Sequence, residues 1–190
     1  MPQYRRLLEL EGGLLEPGTL AADRYDYRNP AHVARFAGRI AEHAALGSRY
    51  SVVRDPRDPS RFLGLVKTSP SDVVHGMPPG ECYVNDIVVR RRGRGLGRLM
   101  LHAGLVGSGI DPAAGSSLEA FDHDKRVSDW YQRLGYSPVG ASADPFEAGG
   151  IQVAQTVYHT EEPHSLGTVL GVLEASDPAL AIHRTANLRY

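Results

Sequence analysis

The 190-residue chain is poor in features that define whole classes of protein. It has a single cysteine, Cys82, so no disulfide can form within it, which suits a reducing compartment. Its 21 basic and 22 acidic residues nearly cancel to a formal charge of -1. No global field therefore draws it to nucleic acid or to an anionic membrane, and any anion site must be local. No apolar run approaches the roughly 20 residues needed to span a bilayer. Residues 1–9 hold an arginine pair but no apolar core or small-residue cleavage site after it, so no secretion signal is read and a cytoplasmic location is expected. No cluster of His, Cys, Asp and Glu has metal-ligand spacing, so no metal is expected. An apolar fraction of 42% with 23% charged residues is that of an ordinary globular protein, long enough for one core and a short appendage.

Strand and helix signals alternate along the chain. A weak strand signal at residues 7–10 precedes Asn29-Pro30, a favoured cap followed by a favoured first helical residue. Val33, Phe36, Ala37, Ile40, Ala41 and Ala44 then recur at helical spacing up to Gly47. Residues 50–54 and 61–67 read as two strands joined by an Asp-Pro-rich turn, and residues 69–80 as a loop. Residues 81–90 are the clearest strand. Cys82, Val84 and Val88 alternate with Tyr83, Ile87 and Val89, as in a central strand buried on both faces. Leu96, Leu99, Met100, Ala103 and Val106 mark an amphipathic helix. Residues 116–121 read as a strand, Asp124 as the cap of a helix ended by Gly135, residues 136–139 and 151–158 as strands, and 141–150 as a loop. The class is α/β or α+β with a mixed sheet. Beyond Thr160 the character changes: residues 166–173 and the stretch from Pro178 read as short helices that pack on the domain or on a second copy.

The sharpest feature is the segment from Arg90 to Arg98, which leaves the buried strand and enters a helix. The first turn of a helix has amides without partners and a partial positive charge. Glycines let that backbone approach a phosphate, and five arginines in nine residues add forked donors. A P-loop would need Lys followed by Ser or Thr after its second glycine, and none is there. A dinucleotide fingerprint fails as well, because its third small position falls on Arg98 or Met100.

The pattern R-x-x-G-x-G is met by Arg92, Gly95 and Gly97 and resembles the cofactor motif of the GNAT acetyltransferase superfamily. A second stretch, Asp124 to Tyr136, is similar to that family's next motif, with Trp130-Tyr131 in the aromatic position and Leu134-Gly135-Tyr136 at its end. The resemblance covers roughly residues 50–158. It departs from the family where Asp124 stands for the usual Asn, Val127 for the usual Ala, and a short link without proline joins Val89 to Arg92.

The resemblance implies a GNAT-like acyl-CoA N-acyltransferase fold, a central, mostly antiparallel sheet flanked by helices. Residues 1–160 would form one domain and 161–190 a helical extension. Acetyl-CoA would be the acyl donor, its pyrophosphate held by Arg92, Gly93, Arg94, Gly95, Leu96, Gly97 and Arg98. Backbone amides of Ile87, Val88 and Val89 would face its thioester, and Asp124, capping the neighbouring helix and able to accept but not donate a hydrogen bond, would complete the cofactor site. Tyr131 would protonate the departing thiolate. By spacing alone Tyr131 is a core aromatic in phase with Val127 and Leu134. Glu81, Asp86 and Asp122 are candidate bases for the amine; Asp86 leads because a carboxylate on an apolar strand face has a raised pKa. It is also a candidate anchor for the acceptor amine. His102, His75 and His123 rank lower, and Cys82 has no paired histidine to make it a nucleophile. The expected partner is a small-molecule or peptide amine. A non-catalytic acyl-CoA-binding module and an arginine-rich nucleic-acid module are the competing readings.

Overall fold

A computed structural model of the chain describes residues 28–55, 57–58, 62–73, 76–90, 95–111, 114–143, 146–148 and 151–161. The strand expected at residues 7–10 and the helices expected beyond Thr160 lie outside them.

Helix α1 (Pro30–Ala45) starts where Asn29 and Pro30 predict it, with the Asn29 side chain accepting the Ala31 amide at 3.0 Å. Strands β1 (Arg49–Arg54) and β2 (Phe62–Pro70) form an antiparallel pair. β2 runs past Lys67 because Thr68, Ser69 and Pro70 continue to pair with β3 (Cys82–Val89). A single 3-10 turn, Ser71–Val73, follows β2. Next come α2 (Leu96–Gly107), β4 (Ser116–Phe121), α3 (Lys125–Arg133) and β5 (Ser137–Ala141). The stretch expected to be a loop, residues 141–150, instead contains β6 (Phe146–Ala148), paired with β7 (Ile151–Val153). A Gly-Gly pair between two short runs is a hairpin signal, and Gly149-Gly150 supplies it. The expected strand at 151–158 is therefore two, β7 and β8 (Gln155–Thr160).

Six strands form one sheet in the order β1-β2-β3-β4-β8-β5, with only β3 and β4 parallel. Adjacent residues leave it for different cores, as the pleat requires. Val52 and Leu65 join Val33, Phe36 and Ile40 of α1, whereas Val53 and Val66 join Met100, Leu101 and Leu105 of α2. Tyr131 and Leu134, from α3 and its C-cap, belong to the α2 side. No helix among the described residues is long and apolar enough to cross a membrane.

Helix α2 lies very close to the sheet. A Cβ at Gly104 would come within 2.7 Å of Val66 Cγ2 and 3.0 Å of Cγ1, on a side chain with no exposure and little rotamer freedom. The start of the parallel pair is tied by polar groups. Ser117 Oγ donates to Glu81 Oε2 at 2.6 Å, and His159 Nδ1 lies 3.2 Å from the same oxygen, linking β3, β4 and β8.

Two stability outcomes follow from these contacts. Gly104→Ala gains about 1 kcal/mol of helix propensity, but overpacking against Val66 costs about 1–3 kcal/mol. A net fall in Tm of a few degrees is expected in thermal denaturation. Glu81→Ala removes the acceptor of the buried Ser117 hydroxyl and leaves it only the longer 3.3 Å contact with His159 Nδ1, a loss of about 1–3 kcal/mol in chemical denaturation. Glu81→Gln, whose carbonyl still accepts from Ser117, should recover part of that loss.

Candidate active site

The site begins with an irregularity in β3. Lys67 pairs with Asp86, but the next rung pairs Thr68 with Val84, leaving Asn85 as an extra residue in the strand. Such a bulge bends a strand and shifts the phase of its side chains. Cys82 and Val84 face the α2 core before it, and Ile87 and Val89 face the same core after it. Val88 packs on the α1 core. The sequence sets Asp86 in phase with Cys82, Val84 and Val88; Asp86 does share the α1 face with Val88, but the bulge puts Cys82 and Val84 on the other face, which corrects that part of the expectation. The bulge is held by a chain of hydroxyls. Ser69 Oγ donates to Asn85 Oδ1 at 2.7 Å, so Ser48 must donate in the 2.7 Å contact with Ser69. Sequence reasoning missed Asn85 and Ser69, since a bulge has no hydrophobic signature.

At the same point β3 leaves β4. The two strands share the rungs Cys82–Ser116, Tyr83–Ser117 and Val84–Leu118 and then diverge, each still paired on its other side. Arg90 donates its amide to Leu63 O at 2.8 Å, in register with the Gly64–Val89 rung. Antiparallel ladders alternate, so Val88 turns its backbone groups toward β2 while Ile87 and Val89 turn theirs toward the slot. The result is a wedge lined by backbone donors and acceptors free of a strand partner.

Helix α2 opens beside this wedge on one face of the sheet. Gly95 is its N-cap, with φ 72°, in the left-handed region that favours glycine. No side chain caps it. The helical ladder starts with Arg98 and Leu99 donating to Gly95 O, so the Leu96 and Gly97 amides have no intrahelical acceptor. Gly97 also has a packing reason: a Cβ there would lie 3.1 Å from the Trp130 ring. Arg92, Gly93 and Arg94 lie outside the described residues.

Helix α3 supplies the aromatic group. Asp124 caps it, accepting the Val127 amide at 3.2 Å, as its sequence position predicts. Tyr131 is 8% exposed and packs between Trp130, Tyr136 and Tyr158, with ring centroids 4.8, 5.9 and 6.2 Å away. Burial pushes its phenol pKa well up, with smaller contributions from Tyr136 and Asp86. It is thus a firmly protonated hydroxyl within electrostatic reach of Asp86. Tyr83, also missed in the sequence, stands in the same neighbourhood. Its hydroxyl donates to Glu119 at 3.0 Å, and burial, with Glu119 and then Asp86 adding to it, raises its pKa.

On the opposite face Asp86 sits in an open cavity of about 100 Å3 beneath α1. Phe36, Ile40 and Tyr50 form its apolar wall, and Arg39, His43 and Lys67 its polar one. The protein atoms crowded around the carboxyl raise its pKa, opposed by Lys67, Arg39 and His43. Its surface remains open to cleft solvent, so the dehydration is partial. His43 Nδ1 contacts Tyr50 Oη at 3.1 Å, and burial, then Lys67 and Arg39, lowers its pKa and keeps it neutral at pH 7.

The other candidates are occupied elsewhere. Glu81 is the buried acceptor of Ser117 and pairs with His159. Asp122 is exposed and accepts from Thr156 at 2.8 Å. His123 stacks on Phe121 at 5.5 Å, and His102 is partly buried on α2 with its pKa lowered by burial. His75 lies outside the described residues. Cys82 is buried in the α2 core, where dehydration pushes its thiol up to about 11 against a small opposing bond to Ser108. Among the described residues no group of three or more His, Cys, Asp or Glu could hold a metal ion.

No family model matches the sequence, and no curated protein matches it either. Solved structures do. A point mutant of spermidine N-acetyltransferase SpeG from Vibrio cholerae superposes with a TM-score of 0.57 at 16% identity, over 82% of this chain and 88% of that one. NAA60 of Arabidopsis thaliana, in complex with a bisubstrate analogue, gives 0.56 at 16% identity over 83% and 91%. An acetyltransferase of Thermus thermophilus gives 0.56 at 16% identity over 84% and 92%. At such identity the likeness speaks for the fold alone: this chain is built as a mixed α/β GNAT acetyltransferase fold.

Proposed function

We propose that the protein is an N-acetyltransferase that moves the acetyl group of acetyl-CoA to a primary amine by direct attack. The observation that carries this reading is the wedge between β3 and β4. It sets slot-facing backbone amides beside the uncapped start of α2 on one face and a carboxyl on the other. Acetyl-CoA would supply an acetyl group activated as a thioester. Its diphosphate suits the Leu96 and Gly97 amides, which have no intrahelical acceptor, the approach over Gly95, and the charge of Arg98, with Arg92, Gly93 and Arg94 as their sequence neighbours. Asp124 orders α3 beside that mouth.

The amine enters from the α1 face. Its ammonium gives a proton to Asp86, and the freed lone pair forms the new C–N bond. Charge developing on the acetyl oxygen meets the N–H groups of Ile87 and Val89; Val88 fixes the strand by pairing back to β2. As the C–S bond breaks, Tyr131 donates its proton to the sulfur, and the second proton shed by the new amide nitrogen returns through solvent to the Tyr131 phenolate. A phenol with a raised pKa stays protonated at neutral pH, and a coenzyme thiol resembling cysteine, with pKa about 8.5, becomes a far better acceptor as its thiolate forms.

Acetyl-CoA binding is expected in calorimetry, and thiol release with a suitable amine. Tyr131→Phe keeps the buried ring and removes only the hydroxyl. It should lower kcat by about 100-fold or more while leaving the acetyl-CoA Kd almost unchanged. Equal turnover in the two proteins would reject the acid role.

Asp86 gives a pH signature. The base works when ionised, and its pKa is raised. The acidic limb of kcat/KM should therefore lie above the usual carboxylate value of about 4, and Asp86→Asn should remove that limb. The sign for stability is opposite. A carboxyl whose folded pKa exceeds its unfolded one weakens the fold once pH rises past the unfolded value. Asp86→Asn should consequently keep or raise Tm at pH 7, although it costs activity. A large drop in Tm would mark Asp86 as a structural group instead.

A further inference from the structure

The rim of the slot opposite Asp86 carries a second carboxylate, and we infer that Glu119 holds the acceptor nitrogen by accepting one of its N–H groups while Asp86 takes the proton. This inference rests on the acetyltransferase reading and adds a binding residue that fits the acceptor site to nitrogen.

The sheet sets the position of Glu119. Leu118 closes the last rung shared by β3 and β4, so Glu119 is the first residue of β4 beyond it, across the split from Asp86. Leu118 and Ala120 join the α2 core. The pleat therefore turns Glu119 to the other face, where Asp86 also lies. Tyr83 and Val157 mark that face: they pack with Met77, and Val157 stands directly opposite Glu119 on β8.

Two donors from different elements aim the carboxylate. Tyr83, on β3, reaches across the split and donates to Glu119 Oε2 at 3.0 Å. Ser142, just past β5 and tied by its amide to Gln155 O at 2.8 Å, donates to Oε1 at 2.6 Å. A carboxylate has about four lone-pair sites over its two oxygens, so each oxygen keeps one after these bonds. Glu119 is only partly buried, which leaves those sites within reach of a ligand. The Tyr83 hydroxyl links the two rims electrostatically: burial raises its pKa most, and Glu119 and then Asp86 raise it further.

An ammonium has hydrogens for both rims. One passes to Asp86 as a proton, and the freed lone pair forms the C–N bond. Of the two that remain, one is shed once that bond exists and the other stays in the amide. The one that stays is the N–H that Glu119 accepts, and no proton moves to Glu119. A hydroxyl acceptor has a single hydrogen. Giving it to Asp86 leaves only oxygen lone pairs facing Glu119, which repel them. The two carboxylates thus select nitrogen over oxygen.

Glu119→Gln keeps the shape and removes the charge. In thiol-release assays it should raise the amine KM by about tenfold, the size of one charge-assisted hydrogen bond. The change in kcat should be much smaller, and the acetyl-CoA Kd should not move. The acidic limb assigned to Asp86 should persist, which separates the two roles. Tyr83→Phe keeps the ring and removes one aiming donor, so it should raise the amine KM by a smaller factor. The alcohol matched to each amine should give no thiol release. An unchanged amine KM in Glu119→Gln, or an alcohol turned over as fast as its amine, would overturn the inference. A crystal structure of the unsubstituted protein decides the matter even if both variants fail to fold. The ligand is a conjugate in which an alkylamine nitrogen is joined as an amide, through an acetyl bridge, to the coenzyme sulfur. Its amide N–H should point at a Glu119 oxygen at about 2.7–3.2 Å; an N–H directed elsewhere would sink the assignment. Failure of acetyl-CoA to bind in calorimetry would instead reject the acetyltransferase reading itself.

Discussion

One extra residue in β3 governs the arrangement. With Asn85 bulged, the strand changes phase between Val84 and Asp86 and stops pairing with β4. A regular strand would have carried Asp86 into the α2 core beside Cys82 and Val84, where a carboxyl has no partner and burial is costly. It would also have zipped β3 to β4 along its whole length, consuming the backbone groups of Ile87 and Val89. The bulge therefore opens the slot and assigns the carboxyl and the apolar packing residues to opposite faces.

Keeping a sheet split open requires support on both sides of the split. At its closed end Glu81, Ser117 and His159 bind three strands together through a buried polar cluster. At the bulge, the Ser48–Ser69–Asn85 chain holds the extra residue in place. Along the α2 face, glycine lets helix and sheet approach, so the mouth at Gly95 is set by a rigid body rather than by a loop. A site built on such elements positions its groups more accurately than one built on loops alone. Glu81 reads as a candidate base in sequence, yet the geometry of its cluster is structural. In the Ser117 cluster both the serine and the glutamate face the same His159 nitrogen, and Ser117 has no exposure. A nucleophilic serine would need a free approach and a histidine bridging it to the acid.

The legible parts of this protein are those with a local physical signature. Asn29-Pro30 marks a helix start because it satisfies orphan amides, and the chain obeys it. Asp124 caps α3 for the same reason. The central strand, the amphipathic α2 and the mixed sheet are visible in hydrophobic period and glycine placement, as is the class of fold. What stays hidden is long-range. The bulge depends on which strand pairs with β3 around Asn85, so strand alternation alone puts Asp86 on the wrong face. The partners of Glu81, Ser117 and His159, stand far along the chain, so its carboxylate looks available. Gly97 reads as phosphate access, whereas the distant Trp130 ring also requires it to be small. The cluster of Arg39, His43, Lys67 and Asp86 draws on α1 and two strands, and no spacing rule connects them.

The placement of Cys82 bears on the order of chemical events. An acyl-enzyme route would need a nucleophile near the point where the strands separate, with a thiolate available at neutral pH. Cys82 is at the opposite, closed end of β3, paired across to Ser116 and packed in the α2 core. Its pKa of about 11 leaves well under 1% thiolate at pH 7. Asp86 is the group that sits where the slot opens, and it is a proton acceptor rather than a good nucleophile. On the proposed reading two substrates would approach one slot from opposite faces and would need no covalent relay, because each could reach the gap without the other leaving. On that acetyltransferase reading, the bulge that opens the sheet favours a ternary complex over a sequential acyl carrier.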